Sequence, residues 1–193
     1  MTDDNKPLNE VQGFGDLLSD IDEDSYPWRD EEPQESAPAD KSRPVVSFRI
    51  GEDLFAVAGG SVREIVGPME ATELPGSPEH IRGITILRRQ VVGLLSLRKF
   101  LNLGNDDHKR AESGDDGTTA RTVIVETAHY TVGLLVDEVT GLSEWPESAL
   151  DSSTLPDNIN DGTRRYARGA HPQGERLCIY LDLENLLDNA AVQ

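Results

Sequence analysis

The chain has 193 residues with a formal net charge of −18, 36% hydrophobic and 28% charged residues, and a single cysteine. That balance excludes a phosphate-backbone binder, which needs a Lys/Arg stripe, and disfavours an anionic membrane surface. Cys178 has no partner for an intramolecular disulfide, and no apolar run reaches the roughly 20 residues that span a bilayer.

The acidity is uneven. Residues 1–44 hold 13 of the 36 acidic and 4 of the 18 basic side chains, punctuated by Pro33, Pro38 and Pro44. Such a segment buries too little apolar area to offset its ordering entropy, so it reads as a disordered acidic tail. Met1-Thr-Asp-Asp lacks the basic and apolar regions of a signal peptide, which points to the cytoplasm. Within residues 10–22, Val11, Phe14, Leu17, Leu18 and Ile21 recur at three- and four-residue spacing. That is the stripe of a short helical motif, weakened by Gly13 and Gly15.

From Val45 the texture changes, and residues 45–193 read as the folded domain. Val46 to Ile50 alternates apolar and polar residues, Gly51-Glu-Asp turns, and Leu54 to Ala58 returns, a hairpin. Ser61 caps a predicted short helix through Ile65. Ile81 to Ile86 and Val91 to Leu95 read as paired strands with Arg88-Arg89-Gln90 at the bend, and Leu97 to Leu103 has helical spacing. Asn105 to Thr119 is a polar loop. Three strands follow, over Thr122–Glu126, Tyr130–Val136 and Val139–Leu142. A mixed segment with Trp145, Pro146 and Pro156 comes next, then strands near Tyr166–Ala170 and Leu177–Leu181 and a closing helix over Leu183–Leu187.

Many short strands at close spacing predict an all-β barrel or sandwich. The second part echoes the first. Each begins with a hairpin and ends in strand, Leu-rich turn and helix, as in Val91-Val-Gly-Leu-Leu-Ser-Leu-Arg and Leu177-Cys-Ile-Tyr-Leu-Asp-Leu-Glu. The echo predicts two similar small barrels.

Catalysis needs converging groups, and none converge in the sequence. His80, His108, His129 and His171 form no ligand pattern, and Cys178 lies in an apolar strand where a thiol is inert. Asp137 and Glu138, adjacent on a predicted strand, point to opposite faces and make no carboxylate pair. No enzyme activity, metal or cofactor is expected. Charged residues do interrupt apolar surroundings at Arg63, Glu64, Arg88 and Arg89. They read either as exposed surface or as a partly buried ion pair beside a groove.

Several blocks are recognisable together. They are Val46-Ser-Phe-Arg-Ile-Gly-Glu-Asp-Leu-Phe-Ala-Val, Ser61-Val-Arg-Glu-Ile-Val, Leu74-Pro-Gly-Ser-Pro-Glu-His-Ile-Arg-Gly-Ile-Thr-Ile-Leu-Arg, Gly133-Leu-Leu-Val-Asp-Glu-Val and Leu181-Asp-Leu-Glu-Asn-Leu-Leu. In this order they resemble the CheW family of bacterial chemosensory coupling proteins. Arg89, Gly93 and Ser96 stand where the family has Gly, Pro and Asp. The resemblance implies two src-homology-3-like five-stranded barrels with short helices and a non-catalytic scaffold for chemotaxis. It implies binding to a methyl-accepting chemoreceptor's cytoplasmic tip and to the regulatory domain of a CheA-type histidine kinase, at polar receptor arrays. By motif it carries partner binding to Val62, Glu64, Gly83 and Arg88, with Arg89 altering the bend or adding a contact. Glu64 and Arg88 are expected to pair beside a groove, and Gly83 to let a partner backbone approach. The alternative within the resemblance is an adaptor of a type IV pilus, surface-sensing or polar-organising system. The tail motif of Phe14, Leu17, Leu18 and Ile21 is expected to dock on a further partner.

Overall fold

The computed structural model describes residues 41–104 and 120–192. The tail motif, His108 and the polar loop lie outside the described residues.

Among the described residues, ten strands make two five-stranded sheets. β1 (Ser42–Ile50) and β2 (Asp53–Ala58) form the first hairpin, and β3 (Val62–Val66) follows a 3-10 turn over Gly59–Ser61. β4 (Ile81–Leu87) and β5 (Gln90–Ser96) form the second hairpin, which runs into the short α1 (Leu97–Phe100). β6 (Arg121–Glu126), β7 (Thr131–Val136) and the nine-residue β8 (Glu138–Pro146) come next. After α2 (Asp161–Arg164), β9 (Ala167–Gln173) and β10 (Arg176–Leu181) lead into α3 (Leu183–Val192).

The predicted helix from Ser61 is the strand β3. Val62 and Ile65 have helical spacing in the sequence, but a bulge at Arg63 inserts one residue into the ladder. Val62 pairs with Val125 and Ile65 with Val123, so the two share a face despite lying three apart. Trp145 and Pro146 belong to β8, where Trp145 pairs with Arg43 and packs 5.0 Å from the His171 ring. β1 starts at Ser42, ahead of the texture change at Val45.

The sequence echo is real, but its halves are not the sheets. One sheet has the order β8-β1-β2-β10-β9 and the other β3-β6-β7-β5-β4. Each combines the hairpin of one half with the last three strands of the other. The registers match position for position. Gly83 faces Leu94 as Gly169 faces Tyr180, and Glu64 faces Ile124 as Gly141 faces Ser47. Leu94 is parallel partner to Gly133 as Tyr180 is to Ala56. Even the bulges recur, at Arg63 and Thr140 on the outer strands.

β1 and β2 are buried on both faces, which explains their nearly continuous apolar runs. Val46, Phe48, Ile50, Phe55 and Val57 join a core shared with Leu95, Val123, Val125 and Leu134 of the other sheet. The opposite face, with Val45, Leu54, Ala56, Trp145 and Cys178, forms a second core. Ser47, a polar position in the alternation of β1, is fully buried on this side. Each fully buried Leu, Ile, Val or Phe contributes roughly 1.5–3 kcal/mol relative to exposure.

Candidate functional site: the Glu64–Arg88 corner

β3 and β4 are the two edges of their sheet. The sheet curls so that β3 meets the tip of the β4–β5 hairpin. Arg88 Nε donates to Glu64 Oε1 at 3.0 Å and to Oε2 at 3.2 Å, and Nη2 donates to Oε2 at 3.0 Å. Beside it Arg63 Nη1 donates to Gln90 Oε1 at 3.2 Å and lies 3.7 Å from Glu126 Oε2. A forked guanidinium on a carboxylate fixes direction as well as distance.

The pair is lopsided in exposure. The Glu64 side chain is 19% exposed and that of Arg88 73%. The hydrogen bonds from Arg88 hold the Glu64 carboxyl below its usual range. Burial opposes this, and the charges of Arg88 and Arg63 add to the lowering. Glu64 in turn holds the Arg88 guanidinium in its charged form. The carboxylate is thus held in place by the arginine, whose other face is turned to solvent.

Arg88 and Arg89 form the two-residue turn between Leu87 and Gln90, with φ of 48° and 70°. Both lie in the left-handed region that two-residue hairpin turns require and that Asn and Gly normally fill. Arg89 is exposed and makes no hydrogen bond or ion pair among the described residues. Next to the turn, Ile86 and Val91 form a cross-strand pair 73% and 66% exposed.

The other expected residues fall elsewhere. Val62 is half-buried at the start of β3, packed on the shared core. Gly83 does admit a close backbone, but it is the chain's own. At φ 141° its missing Cβ leaves room for the Thr72 carbonyl, and Thr72 bridges Ile84 through two backbone hydrogen bonds of 2.8 and 2.9 Å. Glu64, Arg88 and Arg89 are therefore brought together, while Gly83 lies back along β4 under the Thr72 carbonyl.

Sequence reading missed a second charged junction. Asp137 occupies the one-residue step between β7 and β8, not a strand interior. It accepts from Arg98 Nη2 at 2.7 Å and from the Gly51 N–H, while Glu138 accepts from Arg49 at 2.9 Å. The Arg98 and Asp137 side chains are 14% and 17% exposed. They border a cleft of about 320 Å³ with Ile50, Arg82 and Arg121, which none of Val62, Glu64, Gly83, Arg88 and Arg89 lines. The distant sequence positions of Arg98 and Asp137 gave no signal of this pairing.

Among the described residues, no cluster of three His, Cys, Asp or Glu could hold a metal. His80 is buried, with Nε2 3.2 Å from the Ala190 carbonyl and its ring 5.0 Å from Phe100. No described helix is long and apolar enough to cross a membrane.

Comparison with known proteins bears on this arrangement. A family model described as the CheW-like domain matches residues 44–191. A chemotaxis protein CheW of Thermotoga maritima is 26% identical over 81% of this chain and 95% of its own length. A probable chemotaxis protein CheW of Rhizobium etli is 32% identical over 75% and 86%. The crystal structure of the scaffolding protein TtCheW from Thermoanaerobacter tengcongensis superposes with a TM-score of 0.62 at 23% identity. It covers 76% of this chain and 92% of that one.

Proposed function

Because the chain belongs to the CheW-like domain family, we propose that it is a non-catalytic adaptor coupling chemoreceptors to a CheA-type histidine kinase in chemotaxis signalling. The named relatives are chemotaxis proteins, which favours this reading over a pilus or surface-sensing adaptor. The partners are the helical tip of a methyl-accepting chemoreceptor and the kinase's regulatory domain, and the site of action is the cytoplasmic receptor array.

The observation that carries this reading is the internal repeat. In the sister sheet the positions equivalent to Glu64 and Arg88 are Gly141 and Gly174. The same topology therefore closes that corner with no ion pair. A forked, mostly exposed arginine is not a requirement of the fold, and charged side chains held at a surface in this way serve recognition.

Arg88→Glu tests it. In arrays reconstituted from receptor, kinase and this chain, the variant should lose receptor-dependent kinase activation while its melting curve stays near that of the parent. Normal activation by folded Arg88→Glu removes the site. The tail segment around Phe14, Leu17, Leu18 and Ile21 belongs to the same proposal as a tethered docking element. A peptide of residues 8–24 should bind one array component and lose binding on Phe14→Ala. Failure to bind any component leaves the tail without that role.

A further inference from the structure

The internal repeat makes Arg82 and Ser96 of one sheet equivalent to Arg168 and Asp182 of the other. Gly83 and Gly169 occupy matching places, and so do the pairs Ile81–Leu95 and Ala167–Leu181, so the residues next to them match as well. In the β9–β10 sheet Arg168 Nε lies 3.2 Å from Asp182 Oδ2. In the β4–β5 sheet Ser96 takes the place of that carboxylate. Ser96 is 5% exposed, and its hydroxyl makes no hydrogen bond among the described residues. A buried hydroxyl left in this way asks what it is kept for. Arg82 lies 3.6 Å from Oε1 of Glu73, a side chain 80% exposed and not bonded to Ser96.

Arg82 and Ser96 both line the cleft of about 320 Å³. That volume is at the low end for small-molecule pockets and too small for a partner helix about 10 Å across. Arg98 and Arg121 join Arg82 on the lining, against Glu70, Glu73 and Asp137, so the local charge balance is zero in a chain of −18. Arg121 is exposed, and its guanidinium donates to a neutral acceptor, the Ala120 carbonyl, at 2.7 Å. Ile50, Met69 and Leu135 supply an apolar wall. Donors gathered beside an apolar wall suit an anion with a hydrocarbon end.

We propose that this cleft binds a short-chain monocarboxylate. Its carboxylate takes the place that Asp182 fills in the other sheet, accepting from the Ser96 hydroxyl and from Arg82. Its alkyl end lies against Ile50, Met69 and Leu135. The charge-assisted bond fixes the head, and burial of the methylenes adds to the affinity. A second carboxyl group would meet Glu70 or Asp137, so dicarboxylates are rejected. The equivalent cleft around Arg168 is filled from within by Asp182 and takes no such ligand.

The test is amide NMR on the full chain, titrated with sodium hexanoate at constant ionic strength, with 1-hexanol and sodium succinate as controls. Shifts at Ser96, Arg82 and Ile50 should saturate with a dissociation constant on the order of 1 mM, the range open to so small a ligand. Hexanol should not reproduce them, and succinate should bind about tenfold more weakly. Ser96→Asp installs a carboxylate where the other sheet already carries one, so the fold accommodates it and hexanoate affinity should fall about tenfold or more. Arg82→Gln should weaken binding several-fold with an unchanged melting curve. None of Val62, Glu64, Gly83, Arg88 and Arg89 lines the cleft, so carboxylate binding and kinase coupling can fail separately. Titrations without saturable shifts overturn the proposal. So do equal shifts with hexanol, equal affinity for succinate, undiminished binding by Ser96→Asp, or shifts at Arg168 and Asp182 as large as those at Ser96.

Discussion

Gly83 and Gly169 occupy equivalent places in two sheets of identical strand order, and each is overlain by a backbone carbonyl, of Thr72 and of Ala149, where a Cβ would lie. Two independent segments of chain thus close over two glycines in the same way. The requirement belongs to the topology, because the segment leading into each sheet's β-hairpin edge must cross the outer strand at contact distance.

Alanine at either position should therefore cost roughly 2–4 kcal/mol, combining overpacking against backbone with, at Gly83, a left-handed φ. Urea unfolding followed by circular dichroism measures it. A loss below about 0.5 kcal/mol at both sites would mean the covering segments move aside freely.

The strand positions and the hairpin bends were legible in the sequence because alternation and turn chemistry are local. The helix expected at Ser61 failed because a bulge at Arg63 gives a strand the three-residue apolar spacing of a helix. The exchange of hairpins between halves was invisible, since an echo records which elements repeat and not which sheet each joins. At the site, the Glu64–Arg88 pair followed from the family's motifs. Nothing local in the sequence ties Arg98 to Asp137.

Removing half of the Arg98–Asp137 junction should be costly. Asp137 joins Arg98 to the Gly51 turn, tying β1, α1 and β7 together in a place of low exposure. Asp137→Ala leaves the guanidinium without this carboxylate and the Gly51 N–H without its acceptor. The expected loss is roughly 2–4 kcal/mol, near the lower part of the range for a fully buried pair because some solvent reaches both groups. Thermal and urea melts of the variant read this directly.

Cys178 should be silent to thiol reagents in the native chain. It is fully buried beneath Ser47, and burial pushes its pKa up to about 12. An ordinary thiol ionises near 8.5, so at pH 9 an unfolded chain reacts with iodoacetamide while the folded one does not. A folded-state pKa raised above the unfolded one leaves the thiol's contribution intact below the unfolded pKa. Stability then falls as pH rises from about 9 towards about 12, because the unfolded state releases its proton first. Labelling at pH 9 should proceed only as fast as the chain unfolds. Native labelling that tracks thiolate chemistry instead would place Cys178 within reach of solvent.

Arg89→Gly separates stability from recognition at one residue. The turn requires positive φ at both central positions, and Arg89 at 70° takes a conformation that glycine adopts without a Cβ clash. Its side chain makes no hydrogen bond or ion pair among the described residues, so truncation removes no intramolecular partner. Glycine also adds freedom to the unfolded chain, which offsets part of the relief. The net expectation is a gain of roughly 0.5–1 kcal/mol in folding stability, measured by urea unfolding. The same variant should weaken partner binding in the reconstituted array, having lost the exposed cation beside the Glu64–Arg88 pair. A residue whose removal stabilises the fold and weakens binding is kept for binding. If Arg89→Gly destabilises the chain, the arginine is serving the turn itself, and the strain argument for its role in partner binding falls with it.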